Sequence, residues 1–232
     1  MTPRRVVKAS LELLGYTCRA TKSLPIGFDL FHDLRRLKMK PIEVVFDIGA
    51  NVGHTAAAFT RAYPRARVYC FEPGPATFHT LLQNAGGKVK AFQLAVGSAV
   101  GTAVLYAEKD SYLNSLVPEL NTARSGASPA SISVTTVDRF CEEHGIDRID
   151  LLKTDTEGYE LEVLKGAAKL LKERRVGAIY VECALTKSPR HVDVRVLIEY
   201  LGEYGYHLHA LYEQSVFENR FFCNALFIAN NP

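Results

Sequence analysis

The stretch Val44-Val45-Phe46-Asp47-Ile48-Gly49-Ala50-Asn51-Val52-Gly53-His54-Thr55 sets the order of everything around it. Residues 44–48 are β-branched and aromatic apart from one acid, and read as a buried strand. Thr55 to Tyr63 is alanine-rich and reads as a helix. Glycine at 49 and 53 lets the backbone turn sharply and approach a ligand with no Cβ in the way. The helix that follows points its first N–H groups into the turn, favouring a carboxylate or phosphate. The combination is a nucleotide-type binding turn at a strand-to-helix junction.

A dinucleotide turn would read G-x-G-x-x-G, whereas the spacing here is Gly49-x-x-x-Gly53 with Asn51 between. The pattern Asp47-x-Gly49-x-Asn51-x-Gly53 instead resembles the first motif of class I S-adenosylmethionine-dependent methyltransferases. A tight turn with no ligand is the plain alternative. A second signal speaks against it: Glu72 ends a strand at Val68 to Phe71, placed where a carboxylate takes both hydroxyls of a ribose.

Composition bounds the classes. The chain has 232 residues, 47% of them hydrophobic, which suits one ordinary globular domain with a small appendage. The net charge of +3 is too small to argue for nucleic acid. It is unevenly spread: residues 1–40 hold nine Lys/Arg against three Asp/Glu. A solvated helical face explains this more simply than a membrane surface or acidic substrate. Five cysteines (18, 70, 141, 183 and 223) show no paired spacing, which points to a reducing compartment. No apolar run is long enough to span a bilayer, and Lys8 and Glu12 interrupt any signal core, so the expected location is cytoplasmic.

Along the chain, residues 1–41 are expected to form a helical cap: Val7, Leu11 and Leu14 share one helical face, and Leu30, Leu34 and Leu37 another. From residue 42 to 232, strand and helix patterns alternate. A helix at 77–84 stops at Gly86-Gly87, and a strand runs from Val89 to Val96. Segments 102–107 and 131–137 then read as an antiparallel hairpin, an insertion of about 99–136 whose long connection is a lid. A helix at 138–144, a strand ending in Asp155, one helix over 160–172, a strand at 176–183 and a helix at 191–204 follow. Two last strands, 207–212 and 221–229, have only a loop between them and should pair antiparallel. The fold class is therefore α/β: a Rossmann-like sheet of seven strands with helices on both faces, the last pair antiparallel.

Ligands of such sheets sit beyond the carboxyl ends of the strands. Asp47, Glu72, Asp155 with Glu157, and Glu182 all fall there. Clustered like charges repel, so an outside cation, ribose hydroxyls or a metal would relieve them. A helix N-cap is the plainer role for any one of them, Asp155 for instance. His54 at the turn reads as a base or simply as a helix-start residue, and His207 and His209 lack a third metal ligand.

The block Lys153-Thr154-Asp155-Thr156-Glu157-Gly158-Tyr159-Glu160, continued by Leu161-Glu162-Val163-Leu164-Lys165-Gly166-Ala167, resembles the signature of the FkbM family of methyltransferases. Thr135-Thr136-Val137-Asp138, Ile149-Asp150-Leu151-Leu152, Phe71-Glu72-Pro73, Ala95-Val96-Gly97 and Tyr180-Val181-Glu182 fall in the family's order, covering about residues 42–230. The resemblance implies an S-adenosylmethionine-dependent O-methyltransferase acting on a small molecule, natural product or sugar. It implies that Asp47, Gly49, Ala50, Asn51, Gly53, His54 and Thr55 cradle the methionine part, that Glu72 with Pro73 holds the ribose, and that Ala95 and Val96 line the adenine. Asp155 would lie near the sulfonium and the acceptor. Asp155, Glu157 or Glu182 would be the base, or together hold a divalent cation such as Mg²⁺. Tyr112, Asn114 and Ser115 in the lid are the candidate acceptor residues, a homodimer is allowed for, and Lys153 is expected to pair with a nearby carboxylate. A nicotinamide-dependent oxidoreductase and a non-catalytic S-adenosylmethionine-binding protein are the alternatives.

Overall fold

The structure, a computed structural model, describes residues 3–16, 18, 20–37, 39–107, 128–186, 188, 190–217 and 220–229. The chain divides into two compact units, Met1–Lys38 and Met39–Pro232. The first holds helices α1 (Pro3–Leu13) and α2 (Leu30–Arg36) with a 3₁₀ turn at Thr21–Ser23. Asp29 caps α2 by accepting the His32 N–H at 2.6 Å, and the Asp33 carboxylate accepts the Gly27 N–H at 2.8 Å.

The second unit is built on a seven-stranded sheet. Its strands are β1 (Val44–Ile48), β2 (Arg67–Phe71) and β3 (Lys90–Phe92), then, after the insertion of β4 (Ala95–Val96), β5 (Gly101–Ala107) and β6 (Ser128–Thr135), strands β7 (Ile149–Thr154), β8 (Val176–Ala184), β9 (Tyr206–Phe217) and β10 (Arg220–Ala229). The order is β3-β2-β1-β7-β8-β10-β9, parallel except for β10, which runs antiparallel to both neighbours. The order reverses between β1 and β7, which makes their carboxyl ends the switch point.

β1 is buried at every position, the pattern of a parallel strand covered on both faces. Val44, Phe46 and Ile48 join one apolar cluster with α5 (Val137–His144), α6 (Glu160–Lys165), α7 (Ala168–Lys172) and α8 (Val194–Glu203). At its centre Phe140 meets Phe71 edge-on, ring centroids 4.7 Å apart. Helices α3 (His54–Ala62) and α4 (Pro75–Ala85) pack on β1, β2 and β3, burying Phe59 and Leu81. Asp150 ties down the start of β1, accepting the Glu43 and Val44 N–H groups at 2.9 and 3.0 Å.

The expected hairpin is present: β5 and β6 pair antiparallel. The strand expected over 89–96 is divided, however. Its first part stays in the main sheet as β3, and its second, β4, pairs in parallel with β6, making a separate three-stranded sheet. The single helix expected over 160–172 breaks at Gly166. A Cβ there would come within 2.1 Å of the Gly97 carbonyl oxygen, so the helix touches the β4 turn backbone to backbone. Asp138 completes the break: its N–H donates to the Gly166 carbonyl, and its carboxylate accepts the Lys169 and Leu170 N–H groups. Helix α8 starts at Val194 rather than 191, because Ala184 donates to the Val192 carbonyl and Asp193 serves as N-cap. All five cysteines are free. Among the described residues, no helix is long and apolar enough to cross a membrane.

Gly166→Ala should lower stability by about 1–3 kcal/mol through overpacking. Gly202→Ala, in α8 with nothing within 4 Å of the new methyl group, should be neutral or stabilising. Urea midpoints of the two variants check the contrast.

Candidate active site

An open cleft of about 210 Å³ lies at the carboxyl ends of the strands, with Ile48, Phe71, Asp155 and Glu182 on its walls. Gly49, Ala50, Asn51, His54, Thr55, Glu72, Pro73, Ala95, Val96 and Glu157 line it as well. Asp47 and Gly53 are not on its walls; Asp47 is fully buried beneath it. Tyr112, Asn114 and Ser115 fall outside the described residues.

The β1–α3 turn depends on glycine at 49. Its φ is +76°, and a Cβ would sit 1.8 Å from the Asp155 carbonyl oxygen. The amides of the turn are largely used within the protein. Gly49 and Ala50 both donate to the Phe71 carbonyl at 3.0 Å, and Asn51, in the left-handed region, donates to Glu72 Oε2 at 2.9 Å. Glu72 Oε1 also accepts from Gly74 N–H and from the Thr77 hydroxyl at 2.9 and 2.7 Å. Burial still holds its carboxyl above the usual range. The side chain is therefore fixed before any ligand arrives, with one edge on the cleft.

Beneath the cleft, Lys153 of β7 stands in register with Asp47 of β1. Its ammonium lies 3.1 Å from Asp47 Oδ1, 3.1 Å from the Gly49 carbonyl and 3.3 Å from Asp155 Oδ2. Burial opposes the ammonium charge, but Asp155 and Asp47 outweigh it and raise its pKa. Burial also raises Asp47, whereas at Asp155 burial is outweighed by Lys153 together with Glu182 and His191, and the pKa is lowered. The sequence-level pairing of Lys153 thus involves two carboxylates and a carbonyl.

The turn after β7 is shaped by Glu160. Its fully buried Oε1 accepts from the Thr156 N–H, the Thr156 hydroxyl and the Gly158 N–H at 2.8, 3.1 and 3.1 Å. Glu157, between those amides, is left at φ +54°, a strained conformation for a residue with a long side chain. Its carboxylate faces Arg190 at 3.4 Å, and burial followed by Asp155 pushes its pKa to about 7. Glu182 faces His191 Nε2 at 3.2 Å; burial, then Asp155, pushes it to about 8.

Oxygens of Asp155, Glu157 and Glu182 lie within 4.8 Å of one another. Each acid already faces a cation of the protein: Lys153, Arg190 and His191 respectively. Part of the relief that the sequence expects from outside is thus supplied from within. His54 lines the cleft, while His207 and His209 belong to β9 and line no part of it.

Sequence reasoning missed Leu94, Leu105 and Tyr159 on the cleft wall, and Arg190 and His191 behind it. Leu105 comes from the inserted hairpin, whose alternating pattern marks it as buried without indicating what it faces. Arg190 and His191 carry no spacing signal at all.

A seven-stranded sheet with this order and an antiparallel closing strand, carrying its cleft at the switch point, is the class I methyltransferase fold. The fold is shared with the S-adenosyl-homocysteine complex of TrmK from M. capricolum at a TM-score of 0.51 and 9% identity, over 87% of this chain and 68% of that one. Residues 47–208 match the methyltransferase FkbM domain, and the chain belongs to that family. It is similar to methyltransferase sdnD of Sordaria araneosa (31% identity, 60% of this chain and 64% of the relative). It is also similar to 2-O-methyltransferase NoeI of Sinorhizobium fredii (28%, 62% and 64%) and to hexuronic acid methyltransferase AglP of Haloferax volcanii (29%, 78% and 76%). The chain thus spans a little under two thirds of the length of the first two relatives.

Lys153→Met should cost about 3–5 kcal/mol, because Asp47 is left buried without its cation. Adding Asp47→Asn should return a substantial part of that loss. A double-mutant cycle followed by chemical denaturation measures the coupling.

Proposed function

We propose that this chain is an S-adenosylmethionine-dependent O-methyltransferase whose acceptor is a hydroxyl of a small molecule, most simply a sugar. The observation that carries the reading is one cleft with a fixed carboxylate, Glu72, at the end of β2 and three converging acids at the ends of β7 and β8. Family membership and the names of the relatives support it. NoeI is called a 2-O-methyltransferase and AglP a hexuronic acid methyltransferase, which motivates the sugar hydroxyl.

The donor set fits the cofactor. The Glu72 carboxylate on the cleft wall would take the ribose hydroxyls, the start of α3 at His54 and Thr55 would face the amino-acid carboxylate, and Leu94, Ala95, Val96 and Leu105 would enclose the base. When bound, the cofactor supplies an electrophilic methyl group. The chain's own part is to orient the acceptor hydroxyl and receive its proton. Glu157 and Glu182, pushed to about 7 and about 8, are better matched to that task near neutrality than Asp155. Only the ionised carboxylate takes a proton, so the rate should climb as pH rises through those values and level off above them.

The test is titration calorimetry with S-adenosylhomocysteine and NADH on wild type and Glu72→Ala, joined to methyl transfer from labelled S-adenosylmethionine to a panel of hexuronic acids and hexoses. Micromolar binding of S-adenosylhomocysteine alone, weakened at least about tenfold by Glu72→Ala, with transfer to a panel member, is the expected result. Binding of NADH instead would revive the oxidoreductase reading. Tight S-adenosylhomocysteine binding with no transfer to any hydroxyl would favour a non-catalytic binder.

A further inference from the structure

We propose that His191 is a positioning residue of this site: through its Nε2 contact it orients the Glu182 carboxylate toward the cleft and provides the positive charge against which that carboxylate ionises. Glu182 lines the cleft and His191 does not, so the imidazole acts through the carboxylate. The catalytic part of the inference rests on the transfer reaction proposed above; the contact itself does not.

The ring is held on every side that the structure describes. It stacks on Phe222 of β10 with centroids 5.5 Å apart and planes 4° from parallel. Its Nδ1 lies 3.3 Å from the Ser188 hydroxyl, which in turn accepts the Arg190 N–H at 3.1 Å. The loop carrying it is tied to the sheet at both ends, by the Ala184 N–H to the Val192 carbonyl at 2.8 Å and by the Leu185 N–H to the Phe221 carbonyl at 3.0 Å. With Nδ1 engaged by Ser188, Nε2 faces Glu182 Oε2 at 3.2 Å, an ion-pair approach outside hydrogen-bond geometry. Both side chains are largely buried, 15% and 14% exposed, so the pair is little screened by water. A ring that only filled space would not need polar partners at both nitrogens.

The charged and titratable groups around the imidazole are consistent with this role. Glu182 of β8 is in direct contact, Glu157 and Glu160 act from the turn and helix after β7, and Cys223 of β10 and Arg190 of its own loop lie nearby. Burial disfavours the imidazolium, but Glu182 and then the other two glutamates outweigh it and raise the His191 pKa. Reciprocally, His191 favours the ionised form of Glu182, against burial and Asp155. Removing the imidazole should therefore move ionisation of Glu182 to higher pH.

The first test needs no acceptor. In the full chain labelled at the histidine rings, the NMR signal assigned to His191 by its loss in His191→Phe should titrate above the ordinary value of about 6.5. In Glu182→Gln the midpoint should fall by about one unit or more. An unchanged midpoint in Glu182→Gln would overturn the proposal. The second test uses the sugar panel. His191→Phe, which keeps a stacking ring, should leave S-adenosylhomocysteine affinity within about twofold, lower kcat by about 10–100-fold at neutral pH and shift the rising limb of the pH profile upward. His191→Gln, which keeps a donor, should recover much of kcat. A loss of kcat with an unshifted profile, or with equal loss in the Gln and Phe variants, would reduce His191 to packing and overturn the role. If wild type methylates nothing on the panel, the proposed transfer reaction fails, while the NMR titration still decides the contact.

Discussion

The buried ammonium of Lys153 is the interaction on which the rest depends. It joins Asp47 of β1, the carbonyl of Gly49 in the turn and Asp155 at the end of β7, across the point where the strand order reverses. A lone charge this deep would cost several kcal/mol, and two carboxylates and a carbonyl offset that cost. The same ammonium links the glycine turn to the acidic strand end. Gly49 completes the constraint from the backbone side, since any side chain there would collide with Asp155.

Around that centre, the protein manages a concentration of negative charge by interleaving it with its own cations. Asp155 meets Lys153, Glu157 meets Arg190, and Glu182 meets His191. The three acids differ in consequence. Asp155, beside a permanent ammonium, stays below the usual carboxylate range, while Glu157 and Glu182 are pushed up by burial and by Asp155 itself. One constellation thus holds an acid whose pKa is lowered next to two whose pKa values are pushed to about 7 and about 8. Glu160 makes it possible by fixing the turn that carries Glu157.

The inserted hairpin supplies the remaining wall. By diverting the chain after β3 into a small second sheet, it brings Ala95, Val96 and Leu105 to the cleft as apolar lining. The break in the helix at Gly166 belongs to the same construction, because the β4 turn can approach only where the helix has no side chain.

Local pattern was enough to establish the seven strands and their order of types, the glycine turn, the closing antiparallel pair, and the acids at the strand ends. Each of these follows from a period of two or 3.6, or from the residue types that a turn requires, and such constraints act within a few positions of one another. The division of the strand after residue 92, the break at Gly166, the place of Leu105 and Tyr159 on the cleft wall, and the contacts of Arg190 and His191 with Glu157 and Glu182 were decided by tertiary structure alone. His191 and Glu182 are nine residues apart in the chain, yet they meet because the loop after β8 folds back onto the strand's own end and Phe222 of β10 receives the ring. Even Lys153, whose pairing could be foreseen, found its partner Asp47 through parallel register with β1, 106 residues earlier. Sequence determined which groups reach the cleft end of each strand; the crossovers and cross-strand register, which no local period encodes, decided which charges face each other there.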